Sequence, residues 1–139
     1  MEQIRYWAGG YGNKELSPKD QKARLQEFIK DEYWQADFTN SSTKTTRQKK
    51  LFADITIGDK FLIKGFGGKY QIKVYFVGEV VEKDEENYRL GLKKEYYNIY
   101  NRKLAVAQRA PGGIGAGSWF NTLLEVKRQD IIDTFFNKG

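Results

Sequence analysis

Between Lys60 and Lys93 the chain alternates apolar and polar residues with period two, and glycines interrupt it at short intervals. Lys60-Phe61-Leu62-Ile63-Lys64 reads as one strand, and Tyr70 to Val81 as a long second one. Tyr88 to Lys93 returns as a third. Such alternation marks strands with one buried face. Gly65-Phe66-Gly67-Gly68 reads as a glycine-rich turn, Gly78 as a bulge or barrel bend, and Glu82 to Asn87 as a solvated tip. Consecutive short strands with glycine bends predict a small, strongly curved sheet or barrel.

The rest of the chain surrounds this meander. Residues 3–8 read as an opening strand that Gly9-Gly10 breaks. Ser17-Pro18 is a helix start, a hydroxyl cap before a proline in the first turn, and the helix runs to about Lys30. Glu32 to Phe38 reads as a second short strand. Residues 39–50 show no periodicity and read as a mobile loop, with a helical turn at Leu51 to Ile55. Ile57-Gly58-Asp59 is a turn that feeds the next strand, while Glu95 to Val106 fits either a strand or an irregular crossing. Ala110 to Ser118 is a glycine-rich loop, Phe120 to Lys127 a closing strand, and Gln129 to Phe136 a last helix. The expectation is one α+β domain over residues 1–139, a small, strongly curved sheet or barrel capped by two or three short helices.

Composition narrows the chemistry. The chain has no His and no Cys, but three Trp, nine Tyr and nine Phe, and its net charge is +6. Soft-metal ligation and the usual proton shuttle are therefore missing, while stacking surfaces and positive charge are abundant. That pairing points to a polyanion that contains rings. No stretch approaches the roughly 20 apolar residues that span a bilayer, and the first residues lack the apolar core of a signal peptide. The expectation is a cytoplasmic protein with no membrane association and no cofactor.

Several motifs in order carry a resemblance. They are Tyr6-Trp7 in the first strand, a helix, Tyr33-Trp34, Ile57-Gly58-Asp59, Val77-Gly78-Glu79-Val80, and Trp119-Phe120-Asn121-Thr122-Leu123. In this the chain resembles the EVE-type domains of the PUA-like superfamily, relatives of the YTH readers. It is similar in particular to the N-terminal domains of McrB-like restriction GTPases. The resemblance implies a non-catalytic reader of methylated DNA that flips the modified base into an aromatic pocket. It also implies a fused or associated AAA+ GTPase and nuclease. An extruded base must regain its lost stacking from side-chain faces, at about 1–3 kcal/mol per base.

The family's pocket position falls on Trp34, with Tyr6, Trp7, Tyr33, Trp119 and Phe120 as further wall candidates. A core role weighs equally for Trp34, and strand alternation sends one member of each aromatic pair away from any pocket. Where the family carries a characteristic Asn, this chain has Gln35-Ala36-Asp37-Phe38-Thr39-Asn40, which makes Asp37 and Asn40 the candidates for reading the base edge. Lys44, Arg47, Lys49, Lys50, Lys64, Lys69 and Arg109 are the candidate phosphate contacts. The carboxylates Glu85-Glu86 and Asp130-Asp133 sit on a tip and a helix surface, so no catalytic or metal-binding residue is expected. The loop at 111–118 lacks the Lys-Ser/Thr ending of a P-loop. An RNA-binding PUA-like module and a small-molecule or nucleotide sensor are the competing expectations.

Overall fold

The computed structural model describes residues 3–11, 17–36, 43–68, 71–95, 107–109, 123–127 and 129–136. Among these the architecture is α+β. A mixed sheet contains β1 (Tyr6–Gly10), β2 (Tyr33–Gln35), β3 (Lys60–Gly68), β4 (Gln71–Asp84), β5 (Arg89–Lys94), β6 (Ala107–Arg109) and β7 (Leu123–Glu125). Its order is β2-β5-β4-β3-β1-β7, with β6 paired to β4. Only the β1–β3 ladder is parallel among the described pairs. The path begins at β2 and ends at β7, so closure into a barrel is not part of the described ladder. No helix among the described residues is long and apolar enough to cross a membrane.

Among the described residues three helices flank the sheet: α1 (Pro18–Asp31), α2 (Thr43–Asp54) and α3 (Gln129–Phe135). The first starts where Ser17-Pro18 requires. Ser17 Oγ accepts the Asp20 N–H at 3.2 Å, and Pro18 occupies the first turn, where its missing donor costs nothing. It ends at Glu32, whose φ of 54° is left-handed. That conformation is repaid across the sheet, because the Glu32 carbonyl accepts Leu92 N–H at 2.8 Å and its carboxylate accepts Lys94 N–H at 3.0 Å.

The sheet divides the interior in two. On one face Trp7, Trp34, Phe61 and Phe76 meet Leu25 and Phe28 of α1 and Phe52 of α2. On the other, Ala8, Leu62, Val74, Val77 and Leu124 meet Phe135 of α3. Tyr6 and Trp7 do fall on opposite faces, as a period of two demands.

Four expectations need correction. Gly9 and Gly10 continue β1 instead of breaking it. A Cβ on Gly9 would lie 2.4 Å from Phe61 Cζ and 2.5 Å from Trp34 Cε2, so the missing side chain is what admits both rings. Residues 65–68 continue β3 and are not its turn. Gly78 is no bulge: it pairs in register with Phe61 and Lys94, and a Cβ there would meet the Lys93 carbonyl at 2.6 Å. The extra residues on β4 are Tyr75 and Val81, where the ladders to β3 and β5 shift. The fourth correction is α2, read from the sequence as a mobile loop over most of its length.

The turn before β3 follows its motif. Gly58 has a φ of 102°, which only glycine adopts freely. Asp59, 4% exposed, then turns its carboxylate inward. It accepts Trp7 Nε1–H at 2.9 Å, Thr56 N–H at 3.0 Å and Arg5 N–H at 3.2 Å. One side chain thereby fixes the start of β1, the turn and the orientation of Trp7.

Candidate nucleic-acid interface

Helix α2 has a polar sequence, and two of the three residues in its buried stripe are polar. Thr45, Gln48 and Phe52 are buried, at the i, i+3, i+7 spacing of one helical face. Gln48 makes this possible. Its amide nitrogen donates to the Leu123 carbonyl at 2.9 Å, and its amide oxygen accepts Leu123 N–H at 2.6 Å. A buried amide with both ends bonded is satisfied, whereas an unpaired one would cost about 1–3 kcal/mol. At the far end of α2 the Lys83 ammonium donates to the carbonyls of Ala53 (2.9 Å) and Ile55 (2.8 Å), where a helix C-terminus favours a cation.

With that stripe inward, Arg47 and Lys50 are exposed on the outer side of the helix. Lys49, two residues from Arg47 and so roughly across the helix from it, is half-buried on the flank that meets the β4–β5 hairpin. Lys44 belongs to the same helix, but its side chain lies outside the described atoms. The helix holds one acid, Asp54, at its end.

The β4–β5 hairpin adjoins this helix. Its tip is organised by Asp84, whose carboxylate accepts Asn87 Nδ2–H at 2.8 Å and the N–H groups of Glu86 and Asn87. Those bonds, the Asn87 side chain first, hold the Asp84 carboxyl below its ordinary range. Tyr88 follows with a φ of 52°, a conformation that costs an L-residue about 1–2 kcal/mol. Its carbonyl accepts Ala36 N–H at 3.0 Å. Its ring lies 5.4 Å from Phe52, edge to face, with Lys49 Nζ 5.6 Å from its centroid. The next residue, Arg89, sets its guanidinium 4.1 Å from the centre of the Tyr33 ring.

The remaining sequence candidates are distributed as follows. Trp34 is fully buried, flanked by Phe61 at 5.0 Å and Phe52 at 6.5 Å, and its Nε1–H donates to the Gly10 carbonyl at 2.9 Å. Trp7 is also fully buried, with the Arg5 guanidinium 4.8 Å from its ring. Neither ring presents an open face. Tyr6 is half-buried against Phe136 at 4.9 Å. Tyr33 meets Phe28 edge-on at 4.8 Å and donates its hydroxyl to Glu27 at 2.8 Å. Burial, and then that carboxylate, raise its pKa.

Lys64 stands apart from the α2 cations. It is 3% exposed, and burial pulls its pKa down to about 8. Arg109 is in β6, opposite Gln71, with its side chain outside the described atoms. Asp37, Asn40, Lys69, Trp119 and Phe120 lie outside the described residues.

Sequence reasoning missed Tyr88 and Arg89, and it missed the Tyr11–Tyr75 pair, edge-on at 5.7 Å beside the aromatic core. The tip sequence Asp84-Glu85-Glu86-Asn87 points to Asn87 as the left-handed residue, which hides Tyr88. No group of three or more carboxylates among the described residues is placed to hold a metal ion. No protein-family model matches the chain, and no curated protein matches it.

Proposed function

We propose that this chain is a non-catalytic nucleic-acid reader that recognises a modified base in duplex DNA, with its phosphate contacts on α2. The observation that carries the reading is the outward pair Arg47 and Lys50 on that helix, with Lys49 on its flank beside the rings and cations of the β4–β5 hairpin. Cations on one rigid element hold a phosphate backbone in register, and neighbouring rings supply the sequence-tolerant stacking that an extruded base needs. The resemblance to EVE-type domains adds the modified base, the closure of the curved sheet into a PUA/EVE-like barrel, and service as the specificity domain of a McrBC-like restriction system. In this reading Trp34 with Trp119 or Phe120 walls the base, and Asp37 or Asn40 reads its edge. A base stacked on Trp34 would have to replace contacts that Phe52 and Phe61 now make.

The test is a binding panel at several salt concentrations. It compares unmodified, 5-methylcytosine, 5-hydroxymethylcytosine and 6-methyladenine duplexes with matched RNA. The expected result is tighter binding to one modified duplex, with affinity that falls as salt rises. Arg47→Ala and Lys50→Ala should each weaken all duplexes alike and lower the salt slope by about one. Equal affinity for every duplex would overturn the modified-base reading. Preference for RNA would replace it with an RNA-binding module, and tight, salt-insensitive mononucleotide binding would replace it with a sensor.

A further inference from the structure

The backbone at Tyr88 is of a kind that glycine or asparagine adopts at little cost, yet an aromatic residue stands there. The strain marks a position where the ring matters more than the turn. Phe52, which the ring touches, is already enclosed by Trp34 on another side and by the Lys83 ammonium 5.4 Å from its centroid. The Tyr88 ring itself is only half-buried. It sits where three elements converge: α2 through Phe52 and Lys49, the hairpin through its own backbone, and the end of β2 through Ala36. Lys49 stands over this ring from the flank of α2, the helix whose outer side carries Arg47 and Lys50.

We propose that Tyr88 is a stacking platform for an unpaired nucleobase, working with Lys49, which holds the phosphate of the same nucleotide. This rests on the nucleic-acid reading above and adds a base contact to it, outside the Trp34 region. The Lys49 ammonium lies over the electron-rich ring. A nucleotide brings one partner for each group: its phosphate takes the ammonium and its base takes the ring. The phenolic hydroxyl has no part in this exchange, so other aromatic residues should serve. The acidic tip next door sets a limit on anion binding, since Glu85 and Glu86 are exposed one turn away and Glu85 reaches Lys83 at 3.1 Å.

The experiment compares two labelled DNA duplexes by fluorescence anisotropy at fixed salt, one fully paired and one with a single bulged 5-methylcytosine. The wild-type chain should prefer the bulged duplex. Tyr88→Asn suits the left-handed backbone and removes the ring. It should cost about tenfold or more on the bulged duplex, the order of one base–aromatic stack, and leave the paired duplex unchanged. Tyr88→Phe and Tyr88→Trp should retain the preference. Tyr88→Leu guards against a folding defect, because it keeps apolar cover over Phe52 but offers no ring face. It too must lose the preference. An Asn or Leu variant that remains folded and still prefers the bulged duplex would overturn the proposal while leaving the nucleic-acid reading intact. Failure of the wild-type chain to bind either duplex would sink that reading and the proposal with it.

Discussion

The two faces of the sheet are built from different materials. The face under α1 and α2 is aromatic, with Trp7, Trp34, Phe28, Phe52, Phe61 and Phe76 in one cluster. The face under α3 is mainly aliphatic on its strands, Ala8, Leu62, Val74, Val77 and Leu124, with Phe135 and Phe136 lowered onto it. The first must fill the space beneath two helices, and large flat rings do this when one strand residue, Gly9, gives way to them. The second carries, among the described residues, one short helix, and small side chains suffice. An excess of aromatic residues is therefore first a packing fact. Trp7 and Trp34, which suggest a binding surface, are fully sealed in the aromatic face, and the half-buried Tyr88 lies at its rim.

This contrast can be broken in four places. The largest effect should come from Trp34→Ala, which leaves a ring-sized void and should cost about 4 kcal/mol in urea unfolding. A loss below about 1 kcal/mol would mean that the ring is not a core element. Phe135→Ala on the opposite face should cost about 3 kcal/mol, less because a single short helix can settle into the space. A cost above that of Trp34→Ala would reverse the ranking of the two faces. Gly9→Ala adds one methyl group yet should cost about 2 kcal/mol, because the rings of Phe61 and Trp34 have to move. The same change at a tolerant strand position would be close to neutral, and a neutral result here would refute the close approach.

The fourth and smallest is a pH effect from Lys64, which by the period of two shares the aliphatic face with Leu62. Its folded pKa, about 8, lies below the ordinary 10.5, so the unfolded chain holds this proton more tightly. Stability should therefore rise as pH climbs from about 8 towards 10.5, with no contribution to the slope at lower pH. Between pH 8 and 9.5 the gain amounts to about 1.5 kcal/mol. Urea midpoints at the two values should show it, and Lys64→Met should abolish it.

What could be read in advance follows from how local each determinant is. The start of α1 is written in Ser17-Pro18, and the turn before β3 in Gly58-Asp59, because neighbouring residues satisfy each other there. The opposite facing of Tyr6 and Trp7 follows from strand geometry alone. Helix α2 was illegible because its inward stripe is Thr45 and Gln48, and the partner of Gln48 is 75 residues away in sequence. Gly9 reads as a breaker and Gly78 as a bulge or barrel bend because sequence does not show which chain passes over a missing side chain. Of the candidate site, Arg47, Lys49 and Lys50 are visible as charge, but the helix that sets Arg47 and Lys50 outward and Lys49 against the hairpin is not. Lys64 resembled its neighbours as a hairpin cation, and only the fold distinguishes it as buried.

The double bond between Gln48 and Leu123 bears on how molecules of this protein avoid one another. Strand β7 ends the sheet, and an outer strand is a template for a neighbouring chain. At Leu123 both template groups are already taken by one amide, which stands where a residue of an invading strand would pair. At the other end, the Arg24 guanidinium donates to the Gln35 carbonyl of β2 at 2.6 Å. Each end of the described strand order is thus stoppered by a side chain. Gln48→Leu would unplug the first while keeping an apolar residue in the stripe, and light scattering at rising concentration should then detect self-association that the native chain resists.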